Sequence, residues 1–181
     1  MKKIVVLFFA FILVNSSYGQ GNFSLGNNVA SVGIGLGSSL GVLGGSTSTP
    51  GISLQYERGM WDVGGPGVIS LGGFIGFKSY KYNNVYQRKW NYTIIGLRSA
   101  YHYNGIESSD FDVYGGAMLS YNSLNYSDNL PLNNIAYEPF DSYISLTLYV
   151  GGRYYFAPNV AAFAELGYGI SYLNIGAAFK F

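Results

Sequence analysis

The last ten residues, Tyr172-Leu173-Asn174-Ile175-Gly176-Ala177-Ala178-Phe179-Lys180-Phe181, alternate strictly. Leu173, Ile175, Ala177, Phe179 and Phe181 are apolar, and the residues between them are polar or small. A side-chain period of two belongs to a strand with two unlike faces. The alternation returns upstream at residues 29–37, 51–58, 68–78, 92–103, 111–122, 143–156 and 160–169, so eight strands are expected. Charges decide which way the faces point. Only 10% of the residues are charged, against about a quarter in ordinary soluble domains. That is too few to coat a water-facing surface, and the charges within the strands fall mainly on the polar faces. The apolar faces therefore meet lipid. In hydrocarbon an open sheet edge would leave backbone groups unpaired, so the sheet has to close on itself. The fold expected is all-β: a closed, antiparallel, eight-stranded transmembrane β-barrel.

The start of the chain has the layout of an export signal. Lys2 and Lys3 precede an apolar run over residues 4–14, and Ser17 and Gly19 are small residues before Gln20. The run is shorter than the ~20 residues of a spanning helix. Residues 1–19 are expected to be a cleaved signal peptide, 20–28 a short periplasmic lead and 29–181 the barrel. There is no Cys, which excludes a lipid-anchored cysteine, disulfides and thiol chemistry. Of the ten Lys and Arg, two lie at Lys2 and Lys3, leaving eight against nine Asp and Glu. That balance carries no nucleic-acid footprint. Aromatics make up 18% of the chain, with 18 Tyr, and there are 26 Gly. Rings suit the two membrane boundaries, and glycine suits a tight barrel wall.

Outward faces are read as Val32, Ile34 and Leu36 on the first strand and Ile52, Leu54 and Tyr56 on the second. On the fourth to sixth strands they include Ile95 and Leu97, Leu119 and Tyr121, and Leu146 and Leu148. The connections alternate. Residues 38–50, 79–91 and 123–142 read as long external loops, and 104–110 and 157–159 as short turns, the pattern of outer-membrane barrels.

With its signal, its strand rhythm, the segment Phe163-Ala164-Glu165-Leu166-Gly167-Tyr168-Gly169 and the ending Phe179-Lys180-Phe181, the chain resembles the small eight-stranded outer-membrane barrels of Gram-negative bacteria. These belong to the porin-like superfamily, and the likeness is to its outer-membrane protein X and W type. The resemblance implies an outer-membrane location, with lipid and lipopolysaccharide as surroundings. It also implies recognition of the last strand, Phe179 and Phe181, by the barrel-assembly machinery. Family roles span adhesion, membrane integrity and transport of small apolar solutes.

Seven ionisable residues fall on inward parity: Glu57, Arg98, His102, Asp112, Arg153, Glu165 and Lys180. Unpaired charge in a narrow barrel is costly, while paired and hydrogen-bonded charge can be accommodated. They are read as an internal ionic plug. Asp112 is expected opposite His102 and near Arg98, with Arg153 and Lys180 flanking Glu165 and Glu57 reaching in. The pair His102–Asp112 has the composition of an acid–base site, but no nucleophile is evident beside it. Glycines 33, 35 and 37 lack the Lys and the helix of a phosphate loop. Lys81, Arg88, Lys89 and Trp90 lie in an aromatic, basic stretch read as a candidate surface-binding loop. No catalytic, cofactor or metal site is expected. The reading is a non-enzymatic barrel that serves envelope structure or surface interaction. The rivals are a carrier of small apolar solutes and a lipid-modifying barrel enzyme.

Overall fold

The computed structural model describes residues 23–37, 47–83, 87–106, 108–128, 142–168 and 171–181. The expected signal, residues 1–19, lies outside the described residues. The strands are β1 (Asn28–Leu36), β2 (Thr47–Ser48), β3 (Gly51–Asp62), β4 (Gly67–Asn83), β5 (Gln87–Tyr103), β6 (Phe111–Asp128), β7 (Tyr143–Ala157), β8 (Val160–Gly167) and β9 (Leu173–Lys180). β2 is a two-residue strand lying against β4 at Lys81 and Tyr80. The other eight form an up-and-down antiparallel sheet in which each strand pairs with its neighbours in sequence. The seam is β1 against β9, running from Val29↔Lys180 to Leu36↔Leu173. The sheet is thus closed all the way round, as hydrocarbon requires.

Alternation places the side chains. Along β1, and along β3 as far as Met60, buried and exposed residues alternate. The exposed set includes Val32, Ile34, Leu36, Ile52, Leu54, Ile95, Leu97, Leu119, Ile144, Leu146, Leu148, Val150 and Leu166. A surface of exposed aliphatics is the opposite of a soluble domain. Outward aromatics flank it. Tyr56, Tyr101, Tyr103, Phe111, Tyr154 and Phe156 lie toward the end with the short turns, and Phe77, Tyr121 and Tyr168 toward the other. Amphipathic rings settle at these boundaries.

The interior is filled, as eight strands dictate. Apolar residues cluster at two levels: Phe23, Val29, Val68, Tyr155, Ala161, Phe163 and Ala178, and above them Phe74, Ile94, Ala100, Tyr114, Met118 and Tyr149. Charged residues lie between and beside them. Glycine makes this density feasible where the wall crowds the lumen. A Cβ on Gly151 would lie 2.8 Å from both the Tyr114 ring and Glu165.

One expectation is corrected. Residues 79–91 do not form a long loop. β4 and β5 continue as a ladder to Asn83↔Gln87, leaving only a short link between them. The alternating aromatics Tyr80, Tyr82, Trp90 and Tyr92 favour strand, and pairing between neighbouring strands carries them on. β6 likewise runs to Asp128, past the expected end at residue 122.

If the exposed aliphatics face lipid, Leu97→Arg should cost about 2–4 kcal/mol near mid-membrane. Asn125→Arg, exposed on the part of β6 that rises past β7, should cost little. Urea unfolding in lipid vesicles, followed by tryptophan fluorescence, measures both; equal losses would overturn the facing.

Candidate functional site

The lumen holds two charged groups stacked along the barrel axis. The lower is built by Arg153 on β7, which sits directly across the ladder from Asp112 on β6. Its Nη1 donates to Asp112 Oδ2 at 2.9 Å, and its Nη2 donates to Glu57 Oε1 from β3. His102 on β5 places Nδ1 2.8 Å from Asp112 Oδ1 and Nε2 3.0 Å from Ser70 Oγ. Ser70 Oγ lies 3.2 Å from Glu57 Oε2, which closes the ring of contacts. Every member is buried.

The upper group centres on Glu165 of β8. Arg98 of β5 reaches across the lumen and forks onto it, Nη2 to Oε1 at 2.6 Å and Nη1 to Oε2 at 3.4 Å. Two-pronged guanidinium–carboxylate contacts are among the stronger hydrogen bonds. Tyr114 Oη donates to Oε1 at 2.9 Å and Gln55 Nε2 to Oε2 at 3.2 Å, so both carboxylate oxygens are used. The Arg98 guanidinium also lies 4.2 Å over the Tyr149 ring and donates from Nε to its hydroxyl at 3.1 Å. Tyr114 joins the two levels, since Arg153 lies 4.5 Å over its ring. Buried Lys180 on β9 places Nζ 4.7 Å over the ring of Tyr155.

All seven residues read as a plug thus lie inside the barrel, but the expected pairings are wrong in part. Arg98 pairs with Glu165, not Asp112, and Arg153 serves Asp112 and Glu57, not Glu165. Hairpin counting sees only adjacent strands, whereas closure turns β5 toward β8 and brings β3 within reach of β7. The β5–β6 register sets His102 opposite Tyr114, so its contact with Asp112 is diagonal. Ser70, Gln55, Tyr114 and Tyr149, which complete the network, are all on inward parity. Phe23 is not foreshadowed. It precedes the first strand and yet is fully buried, its ring stacked on His102 with centroids 3.8 Å apart.

Ser70, His102 and Asp112 stand in the order nucleophile, base and orienting acid. That constellation alone does not make an acyl-transfer site. The Glu57 carboxylate is beside the hydroxyl, where such chemistry needs donors for a developing oxyanion. The imidazole is covered by Phe23. Among the described residues no three His, Cys, Asp or Glu side chains converge as a metal site. Above the Arg98–Glu165 pair, Phe74, Met118, Thr147, Ser171 and Asn174 line a cavity of about 40 Å³, the scale of a few waters and not of an organic solute.

The candidate surface segment lies at the top of the β4–β5 ladder. Register sets Lys81 opposite Lys89 and Trp90 opposite Tyr80, with Arg88 between Tyr82 and Asp128. The side chains of Lys81, Arg88 and Lys89 lie outside the described residues. Phe179 and Phe181 stack with centroids 6.1 Å apart on the outer side of β9, and the main chain of Phe181 is bonded in both directions to Asn28.

No family model matches the chain, and no curated protein matches it. Solved structures do. A transmembrane β-barrel from a de novo design study aligns at TM-score 0.53 and 19% identity, over 87% of this chain and 98% of the other. Ail, the attachment invasion locus protein of Yersinia pestis, in complex with the heparin analogue sucrose octasulfate, aligns at 0.51 and 14%, over 87% and 100%. The outer membrane protein OprG from Pseudomonas aeruginosa aligns at 0.50 and 10%, over 90% and 99%. What is shared is the fold, that of the small eight-stranded outer-membrane β-barrels.

Removing one partner of a buried pair costs about 3–5 kcal/mol, because a charge is left without compensation. Arg98→Met should fall in that range, and Arg98→Met with Glu165→Gln should recover much of it. Urea unfolding of the refolded barrel tests this; additive losses would show that the two residues are not coupled.

Proposed function

We propose that the chain is an outer-membrane β-barrel without catalytic activity, exported through a cleaved signal at residues 1–19. In this reading the short turns and both ends of the barrel face the periplasm. It acts in envelope structure and in surface interaction through strands raised above the outer rim. The observation that carries this is the unequal height of the wall. Pairing of β3 with β4 ends at Ile52↔Phe77, and pairing of β6 with β7 ends at Asn122↔Tyr143. β4, β5 and β6 stay paired with one another up to Asn83↔Gln87 and Arg88↔Asp128. The result is a sheet of β4, β5 and β6, edged by the short β2 against β4, that stands beyond the barrel and bears Lys81, Arg88, Lys89 and Trp90.

Lipopolysaccharide phosphates, or another polyanionic glycan, are the chemistry such a surface would meet. Cations neutralise the phosphate, and a ring can stack on a sugar or base face. This ligand class rests on those four residues and not on the heparin analogue bound to Ail. Within the same reading, Phe179 and Phe181 present the terminal strand to the barrel-assembly machinery. The solute-carrier alternative finds less support, because a continuous apolar lumen is what it needs and two charged groups cross this one. The charged levels support a barrel that conducts few ions.

Two measurements test the proposal. In fractionated cells the protein should appear with the outer membrane and shift its gel migration on boiling, the mark of a folded barrel. Purified protein should bind lipopolysaccharide, and Lys81→Glu with Arg88→Glu and Lys89→Glu should abolish binding while leaving the heat shift intact. Binding that survives the triple reversal would remove the raised sheet from the proposal, and a soluble or inner-membrane location would remove the whole of it.

A further inference from the structure

We infer that residues 23–27 form a stopper for the lower mouth of the lumen, with Phe23 its head, and that this stopper is what keeps water from the His102–Asp112 pair. The segment stands outside every strand, yet it is built into the barrel at four places. The Phe23 ring lies flat on the His102 imidazole, 16° from parallel, and is fully buried. The Phe23 carbonyl accepts from Asn104 Nδ2 at 2.9 Å, a contact from the turn that follows β5. Gly26 N donates to Gly59 O at 2.9 Å, and Gly59 N donates to Asn27 O at 3.0 Å, which ties the segment to the end of β3. A local turn aims the ring upward. Ser24 N donates to Asn27 Oδ1 at 2.9 Å, Asn27 N donates to Ser24 O at 3.1 Å, and Gly26 sits at φ +84°. L-residues with side chains seldom occupy that region, so glycine suits the position.

The wall is shaped to receive this turn. A Cβ on Gly59 would come within 2.4 Å of the Ser24 carbonyl oxygen and 3.2 Å of the Phe23 ring. The β3–β4 register also shifts between Gly59 and Trp61, beside the same contact. A bulge and a glycine at the rim are how a sheet makes room or re-aims a strand. Phe23 therefore does what no strand residue can do. Strand side chains project sideways into the lumen, whereas a ring entering from below can lie across the end of the charged column. With the stopper withdrawn, the wall would keep its ladders, because none of the β1–β9 or β3–β4 register pairs includes residues 23–27. The space left by the ring would be bounded by its apolar neighbours, Val29, Val68 and Tyr155 among them, and would open onto the face of His102, with Asp112 and Ser70 bonded behind it.

His102 is the only histidine in the chain, so its chemistry reports on the mouth alone. Folded protein in detergent is treated with diethyl pyrocarbonate and His102 carbethoxylation is followed by mass spectrometry. The wild type should react slowly. Phe23→Ala should react faster by about tenfold or more, since a buried, stacked ring is lost. Gly59→Ala, which keeps the Phe23 side chain but pushes its turn out of its seat, should also react faster. Leu25→Ala, altering an exposed residue of the same turn, should match the wild type. Each variant is first shown to keep its heat-shifted migration. Should Phe23→Ala or Gly59→Ala not fold, Asn104→Ala loosens the strap from outside and should give the same direction of change. Fast modification of the wild type, or equal slow modification of all folded variants, would overturn the stopper.

Discussion

Each strand of this barrel carries N–H and C=O groups that hydrocarbon cannot satisfy, and the whole design follows from that. A pair of β1 and β9 edges facing lipid would leave two rows of backbone groups without partners, each costing several kcal/mol. The β1–β9 ladder removes both rows. Once the sheet is closed, its radius is set by eight strands, and the inward residues must fill a fixed, narrow space. Once it is closed in lipid, the outward residues must be apolar. The alternation along every strand expresses both demands at once.

The inside is where the energetics become demanding. The lumen buries two arginines, two lysines and three carboxylates that could not be tolerated singly. Their arrangement answers this by distributing each charge over several contacts. Glu165 receives Arg98, Tyr114 and Gln55; Arg153 divides itself between Asp112 and Glu57. Tyrosines serve both levels, with the ring face toward a guanidinium and the hydroxyl toward a carboxylate or carbonyl. Such a network offers few alternative pairings, so it fixes how the strands stack across the lumen as well as filling it.

Much of this was legible in the sequence because the strand period is two and because charge is scarce. Glu57, Arg98, His102, Asp112, Arg153, Glu165 and Lys180 declare their facing by parity, and Leu97 or Leu146 declares the opposite. What parity leaves open is distance across a closed space. Arg98 lies 67 residues from Glu165, with two complete strands between them. Their meeting depends on curvature and stagger, which no single hairpin encodes. The height of β4 to β6 was missed for another reason: Tyr80, Lys81, Arg88 and Lys89 read as a polar loop although their neighbours are good strand formers. Phe23 was missed because no periodic signal reaches outside the strands; its role comes from a turn and from the space above Gly59.

The seam has a consequence for how the barrel comes to exist. Apart from the two-residue contact of β2 with β4, every other ladder joins barrel strands that follow one another along the chain, so each can form by closing one hairpin. Asn28 and Phe181 are 153 residues apart, and their strands can meet only when the rest of the sheet has curled. The entropy of closing so large a loop is met only after the intervening hairpins have shortened it. The seam is therefore the last ladder to zip, and until it does β1 and β9 are two unpaired edges able to capture each other or another chain's strand. The interval before that final pairing is when this protein is most open to aggregation.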